Sequence, residues 1–467
     1  MEYDLCVIGA GPAGYVCAIK AAQNGLKVIC IDGNSGLGGT CLNVGCIPSK
    51  MLLHTSAQYH HCLNAGAMGI NIGSVSLDFA KVQKIKQSRV DKLQHGIENL
   101  FKKNKVEFLN AYAQFTSSNE VEAGGRKITA KNFVIAVGSS VSTLPHVEID
   151  EQRIISSTGA LSLKSVPKSL TIIGGGYIGV EMAFIFSRFG SKVTIIDYAK
   201  TILSAFDADV CAVAQKSLTE LGVKFEMNKS VLSASVEKKG KAAAVRYCDN
   251  ETGKEKEIVS DFALVAVGRK PNIDGLNLHN IGGSDVSIET DERGFIKINE
   301  KMQTSVEHIY AIGDIVGGTM LAHKASEEGV FVANLCANKY SHTNYDVIPA
   351  VVYSSPEIAV VGKTQLSLDA AGIAYNVGKF SFSSTSRAVV CGEAMGFVKI
   401  IAEKSSNKIL GCQIIGEHAG EMIHEIAMAM EFGATAEDVA LMCHSHPTFS
   451  EAIKEAALAT FSHPIHG

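Results

Sequence analysis

Residues 3–14 read YDLCVIGAGPAG: an apolar strand, Tyr3 to Ile8, running into the turn Gly9-Ala10-Gly11-Pro12-Ala13-Gly14. A helical pattern follows through Ala22, then a second apolar strand, Lys27 to Ile31, that ends at Asp32. Strand, G-x-G-x-x-G, helix, strand and acid in this order predict a dinucleotide site. Gly9 makes the tight turn, Gly11 lets the backbone approach a pyrophosphate, and Gly14 lets the helix pack closely on the strand. The N–H groups of the helix hold the anion, and Asp32 takes a ribose hydroxyl.

The pattern recurs. Leu170 to Ile173 enters Gly174-Gly175-Gly176-Tyr177-Ile178-Gly179, a helix runs to Phe189, and the strand Lys192 to Ile196 ends at Asp197. Two such units predict two dinucleotides; the economical combination is a bound flavin, FAD, and a nicotinamide that exchanges electrons with it. Asp197 accepts from a free 2′-hydroxyl and repels a 2′-phosphate, which favours NAD over NADP; the alternative is a solvated charge at a strand end. Each unit closes on a strand and a glycine, Phe133 to Gly138 and Phe262 to Gly268, with a linker at Ser156 to Ser169 between them. A further strand, His308 to Ile312, leads into Gly313-Asp314. From about Tyr345, strands such as Phe397 to Ile401 and Ile409 to Ile415 precede helices, an α+β region of different ancestry. The expected fold is therefore α/β: an FAD-binding Rossmann-like domain over 1–150 and an NAD-binding one over 151–272. A central segment, 273–344, returns to the first domain, and a C-terminal α+β domain spans 345–467.

The bulk properties fit this division. A chain of 467 residues suggests two to four domains, and 46% hydrophobic with 19% charged residues is a soluble globular composition. The net charge of −4 and the lack of a long basic run argue against nucleic acid or an anionic membrane as partner. The N-terminus, MEYD, has no basic region and no cleavage site, and Leu5 to Ile19 is short of a membrane span. A cytoplasmic protein is expected, or one of an organelle matrix if the chain is processed.

Most of the twelve cysteines, including Cys6, Cys17, Cys30, Cys336 and Cys412, stand singly among apolar residues as buried thiols. No C-x-x-C pair exists, so no metal site is expected. Only Cys41 and Cys46 fall together, in GTCLNVGCIPSK (39–50). On one ideal helix their Cα atoms would be ~8.7 Å apart, whereas a disulfide needs roughly 4.4–6.8 Å. Either they never pair, or the backbone between them is not regular helix, which Asn43, Val44 and Gly45 permit. Pro48 suits the first turn of a helix beginning near Cys46, whose N-terminus would stabilise a thiolate.

Near the C-terminus, His444-Ser445-His446-Pro447-Thr448-Phe449-Ser450-Glu451 precedes a helix, Ala452 to Phe461. An imidazole there can deprotonate an incoming thiol, with a carboxylate on its second nitrogen fixing the tautomer. Thr448-x-x-Glu451 is equally a capping-box pattern, in which Glu451 only caps its helix.

GGTCLNVGCIPSK, the two glycine turns, YAIGD (310–314), MLAHKASEEG (320–329) and HSHPTFSE (444–451) closely resemble the flavin-dependent disulfide reductases, over essentially the whole chain. The resemblance implies a redox disulfide between Cys41, the thiol that meets the substrate, and Cys46, the thiol beside the flavin. It makes Lys50 and Glu181 an ion pair near the flavin's reactive nitrogen. It makes Asp314 the acid on the ribityl chain, with Met320, Leu321, Ala322 and His323 lining the same cofactor. Ala113, Gly138 and Ser139 join the FAD site; Val231 and Gly268 join the NAD site with Gly174, Gly176, Gly179 and Asp197. His446 becomes the base, after a cis bond to Pro447, and Glu451 its partner. The active site would lie between two chains, so a homodimer is implied. The implied reaction is oxidation of a dihydrolipoyl dithiol by NAD⁺, with lipoyl domains of 2-oxo acid dehydrogenase or glycine-cleavage complexes as partners.

This sequence departs from the family pattern at several points. Asp32 stands where Glu is usual, Val137 replaces a Thr, and Ala111-Tyr112-Ala113 stands where Gly-x-Gly is common; a glycine with positive φ there would require a different loop. Ser445 and Phe449 change the fillers around the base. His54, His60 and His61 read as solvated histidines, and His444 as a minor rival to His446. Met422, Met428 and Met430 read as core or interface packing, and the charged stretch 81–105 as a solvated helix face. The tail PIHG lacks the cysteine pair that thioredoxin or mercuric reductases carry, which separates the chain from other reductases of this fold.

Overall fold

The computed structural model describes residues 2–33, 36–237, 240–281 and 287–467. Tyr3–Ile8 forms the centre of a sheet flanked in parallel by Val28–Ile31 and Arg126–Ile135. Leu5, Cys6 and Val7 are fully buried, as a central parallel strand covered on both faces requires. Ile309–Ala311 pairs in parallel with Arg126–Ile135, so the chain returns to this sheet after the second unit. Pro12–Gln23 is the crossover helix, with Pro12 at its first position.

The second unit repeats the plan. Ser169–Ile173 lies between Lys192–Asp197 and Phe262–Val265, all parallel, and Tyr177–Arg188 is its crossover helix. Ile154–Ile155 joins this sheet, and the segment read as a linker, Ser156 to Ser169, is partly ordered: Ser157–Leu161 is a short helix capped by the Ser156 hydroxyl. The two units touch through two short antiparallel strands, Ser139–Val141 and Arg269–Pro271, each just after its closing glycine.

The C-terminal region is a five-stranded antiparallel sheet, running in space from Ala350–Val352 through Glu357–Gly362, Ile409–Gly416 and Phe397–Glu403 to Tyr375–Ser381. The helices Ala419–Glu431 and Glu451–Leu458 pack on it. Met422 and Met430 are buried on this face while Met428 points outward. Lys399, in its middle, is 1% exposed and lies 2.7 Å from both Asp207 and Asp209 at the start of a helix of the second unit. A buried cation tolerates that position only because two carboxylates meet it.

Candidate functional site

The glycine turns explain themselves atom by atom. A Cβ at Gly9 would sit 2.3 Å from the Ala136 carbonyl oxygen, and one at Gly14 would sit 1.8 Å from the Gly9 oxygen. Gly174 and Gly179 are crowded alike, at 2.3 Å and 1.9 Å from the oxygens of Ala266 and Gly174. The middle glycines are not. At Gly11 the nearest atom is 4.0 Å away, and at Gly176 no protein atom lies within 4 Å. Two positions per turn are glycine for the protein's own packing, and one leaves room beside a helix N-terminus, which fits a dinucleotide pyrophosphate.

Both acids sit at the ends of their strands and tie the turn. Asp32 accepts the Ala10 N–H at 2.7 Å, and Asp197 accepts the N–H groups of Gly175 and, at 2.7 Å, Ala199. Around the first turn, a cleft of about 740 Å³ is lined by Asp32, Thr40, Val44, Ala113, Ser139 and Arg269. Neither Ala111 nor Ala113 has positive φ, so the loss of Gly-x-Gly costs that loop nothing in backbone strain. Around the second turn, a cleft of about 650 Å³ is lined by Gly174 to Ile178, Asp197, Val231 and Gly268. The residues present therefore fit two dinucleotides.

The thiol pair straddles a break between two helices. Gly39–Val44 ends at Gly45, and Cys46–Leu63 begins directly after it. A Cβ at Gly45 would be 2.8 Å from the Thr40 carbonyl oxygen, so this tight junction needs glycine. The break replaces the regular-helix spacing and brings the two sulfurs into hydrogen-bonding contact. That contact lowers the Cys46 thiol to about 7 against the opposing effect of burial, and the Lys50 ammonium lowers it further. The same contact, together with burial, pushes the Cys41 thiol well up. Cys46 is thus the thiolate of the pair and Cys41 the donor.

Lys50 follows Cys46 by one helical turn, on the same face. Its Nζ lies 2.9 and 3.0 Å from the two oxygens of Glu181, on the crossover helix of the second unit. Ser49 Oγ (3.0 Å) and the Tyr353 N–H (3.2 Å) donate to the same carboxylate. Lys50 also lies over the Tyr353 ring, 4.6 Å from its centre.

On the other side of the cleft, Ser139 Oγ donates to Asp314. Arg269 was not anticipated from sequence. Its Nε donates to Ser139 Oγ at 2.7 Å, its Nη2 to the Ser139 carbonyl at 2.6 Å, and it stands 3.9 Å from Asp314. The signal was present: Arg269 follows Gly268 as Ser139 follows Gly138, at equivalent places in the two units. Leu321 caps the helix Ala322–Cys336 beside the Gly313-Asp314 turn, with Met320 half-buried before it. The His323 ring donates from Nε2 to the Pro349 carbonyl at 2.7 Å.

The C-terminal base motif is built from one loop. His446-Pro447 is cis, and His446 Nδ1 is 2.9 Å from Glu451 Oε1. No capping box forms: the Thr448 hydroxyl donates instead to the Ser445 carbonyl, and Ser450 is the N-cap. Glu451 nonetheless accepts the Thr448 N–H with its other oxygen, so both proposed partners find it. His444 is different. Its side chain is 4% exposed, its Nε2 is 2.7 Å from Glu425, and its Nδ1 meets the Met442 carbonyl at 3.1 Å, which makes it a structural ion pair. Neither cleft is lined by a residue of the C-terminal sheet or by His446. Among the described residues no group of three or more His, Cys, Asp or Glu could hold a metal ion.

Two dinucleotide clefts, with a thiol–thiolate pair at the break between two helices beside the first, define a pyridine-nucleotide-dependent thiol redox protein. Residues 3–329 match the family model for pyridine nucleotide-disulphide oxidoreductases, and residues 348–457 match that family's dimerisation domain. The chain is 46% identical over 471 residues to the mitochondrial dihydrolipoyl dehydrogenase of Pisum sativum, covering all of this chain and 93% of the relative. It is 47% identical to the dihydrolipoamide dehydrogenase of Chaetomium thermophilum, covering all of this chain and 92% of that one. Among solved structures, LpdA from Mycobacterium tuberculosis superposes with a TM-score of 0.89 at 25% identity, over 97% of this chain and 99% of that one. The chain belongs to the pyridine nucleotide-disulphide oxidoreductase family, and its cofactors are FAD and NAD.

Proposed function

We propose that the protein oxidises a dihydrolipoyl dithiol, free or carried on a lipoyl domain, and passes the electrons to NAD⁺. The observation that carries the thiol chemistry is the Cys41–Cys46 pair, with Cys46 lowered to about 7 at a helix N-terminus. The dihydrolipoyl substrate is supported by the names of the relatives.

In this reading the resting pair is a disulfide. A substrate thiol gives its proton to His446 of a second copy, and its sulfur attacks Cys41 Sγ. The Cys41–Cys46 bond breaks and Cys46 leaves as a thiolate, facing Lys50 and the helix N-terminus. The second substrate thiol attacks the substrate sulfur bound to Cys41, the Cys41–substrate bond breaks, and the second thiol's proton passes to the departing Cys41 sulfur while His446 keeps the first. That step releases the cyclic substrate disulfide and leaves Cys41 protonated and hydrogen-bonded to Cys46, so two electrons stay on the pair. When bound, FAD would supply the two-electron route from Cys46 to NAD⁺.

Gly9, Gly11, Gly14, Asp32, Ala113, Gly138, Ser139 and Asp314, with Met320 to His323, would hold FAD, and Arg269 joins them. Gly174, Gly176, Gly179, Asp197, Val231 and Gly268 would hold NAD. Glu181 fixes the Lys50 ammonium, and Glu451 holds the His446 ring with Nε2 free for the substrate. A four-part division at 150, 272 and 344 belongs to this reading, supported by the strand Ile309–Ala311 rejoining the first sheet. A homodimer is supported by the dimerisation-domain match and by the exposed Met428, Phe432, Leu441 and Met442 of the C-terminal region. An organelle matrix is supported by the mitochondrial relatives; no described helix is long and apolar enough to cross a membrane.

The test is the initial rate of NAD⁺ reduction by dihydrolipoamide, with NADP⁺ alongside. Rapid turnover with NAD⁺ alone is expected. No turnover by protein whose flavin NADH reduces would reject the substrate.

A further inference from the structure

Glu328, in the helix Ala322–Cys336, is 1% exposed. It is not an idle core carboxylate. Oε2 accepts the N–H of Gly313 at 2.7 Å, while Oε1 accepts from the Tyr345 hydroxyl at 3.1 Å and from Lys324 Nζ at 2.8 Å. Lys324 is itself 9% exposed along its side chain, so the ion pair is sealed from water. Gly313 has φ +80, a left-handed conformation, and opens the tight turn Gly313–Val316 that carries Asp314. The N–H of a turn residue in that conformation has no ladder partner, and burial would leave it costly unless something accepts it.

The next residue, Gly329, fixes where Glu328 stands. A Cβ there would be 2.5 Å from the Ala13 carbonyl oxygen and 3.1 Å from the Cys17 nitrogen. Gly329 therefore lets this helix press against Pro12–Gln23, the helix that opens the first glycine turn. One helix thus spans two parts of the first cleft: its glycine registers it on the helix behind the glycine turn, and the adjacent carboxylate grips the Asp314 turn.

We propose that Glu328 is a positioning residue for flavin binding, holding the Gly313 N–H so that Asp314 faces the cleft beside Ser139. This rests on the assignment of Asp314 to FAD made above. Glu328 touches neither substrate nor cofactor; it acts through the turn. Lys324 pairs with the carboxylate, and Tyr345 ties the same group to the chain leaving for the C-terminal sheet.

The test compares two full-length variants that both remove the buried charge pair, Lys324→Met/Glu328→Gln and Lys324→Met/Glu328→Met. The first keeps an oxygen for the Gly313 N–H and the second does not. The readout is the dissociation constant of FAD from the apoprotein, followed by quenching of flavin fluorescence. The Met form is expected to bind FAD at least tenfold more weakly than the Gln form; equal affinities overturn the proposal. Repeating the pair in an Asp314→Asn background separates positioning from general loosening. The tenfold difference should then shrink to within about twofold, and an undiminished difference overturns the proposal. If Asp314→Asn alone leaves FAD affinity unchanged, the assignment of Asp314 falls first and the proposal with it. Should the paired variants not fold, Glu328→Ala against Glu328→Gln makes the same comparison with the same outcomes.

Discussion

His446 Nδ1 and Glu451 Oε1 lie 2.9 Å apart, and the other oxygen of the same carboxylate accepts the Thr448 N–H at 2.8 Å. One group thus anchors the loop and orients the imidazole that the loop carries. Burial raises the Glu451 carboxyl, but the Thr448 N–H and His446 outweigh it and hold it below the ordinary range. A depressed acid contributes at and above its unfolded value, about 4.3, and loses that contribution as pH falls below it. His446→Gln should slow dihydrolipoamide oxidation by roughly 10²–10⁴, and Glu451→Gln by less. NADH-to-dye electron transfer should change less than about threefold in both, because that half of the reaction moves no thiol proton. Equal losses in the two assays would make the loop merely structural.

Cys46 should titrate near neutrality in the reduced enzyme. Its alkylation by iodoacetamide should rise with pH through about 7, with Cys46 labelled ahead of Cys41. Lys50→Met removes a cation that lowers the Cys46 thiol, so the inflection should move upward. Mass spectrometry of the labelled protein checks both. Preferential labelling of Cys41 would mean that access along the substrate path, and not thiolate character, decides the reaction, and an inflection unmoved in Lys50→Met would remove Lys50 as a support of the thiolate.

The two glycine turns separate packing from binding. Gly14→Ala forces a Cβ into the Gly9 carbonyl oxygen, so backbone must move and stability should fall by about 3 kcal/mol. Gly11→Ala meets no protein atom closer than 4.0 Å, and its φ of −68 suits alanine. That variant should fold normally and bind FAD at least tenfold more weakly. Thermal melting and flavin content of the purified proteins decide it; normal flavin content in Gly11→Ala would remove that glycine from the site.

Much of this was legible in advance because the signals are local. Gly9 to Asp32 and Gly174 to Asp197 each fix a turn, a helix and a strand within thirty residues, and packing forbids alternatives at Gly9, Gly14, Gly174 and Gly179. The thiol pair was readable as far as needing a break, and Gly45 supplies it. Arg269 and Glu328 were missed because their meaning is tertiary. Arg269 matters through Ser139, 130 residues away, and Glu328 through a backbone N–H at Gly313 that no periodicity reveals. The ambiguity at Glu451 could not be split by spacing, since the carboxylate has two oxygens and uses one for each partner. His444 and His446 differ only in burial and partner, which sequence does not carry.

Asp197 should set coenzyme choice. It receives two backbone N–H groups at the strand end and borders the second cleft, where a 2′-phosphate would meet its charge. Asp197→Asn should lower the NAD⁺ over NADP⁺ preference in kcat/KM by at least about tenfold (about 1.4 kcal/mol), since two unit charges about 4 Å apart repel by about 1 kcal/mol in water and about 4 kcal/mol near a protein surface. An unchanged ratio would leave Asp197 as a turn anchor only.

Lys399 joins the second dinucleotide unit to the C-terminal sheet through Asp207 and Asp209, with Gln365 Oε1 also 3.2 Å from its Nζ. Lys399→Met keeps the length of the side chain but leaves Asp207, itself 8% exposed, as an unmatched buried carboxylate. Breaking such a pair from one side costs about 3 kcal/mol. Burial raises the Asp209 carboxyl, yet Lys379 and Lys399 outweigh it and hold it below the ordinary aspartate range. Its depressed value stabilises the fold above about pH 3.9 and is lost as pH falls through the folded value. The deficit of the variant should therefore hold from pH 7 down to about pH 4 and shrink below about pH 3.9, where the native protein loses the Asp209 contribution. Thermal midpoints of both proteins across that range check the sign. A deficit independent of pH would mean that Lys399 matters for its packed stem and not for its charge.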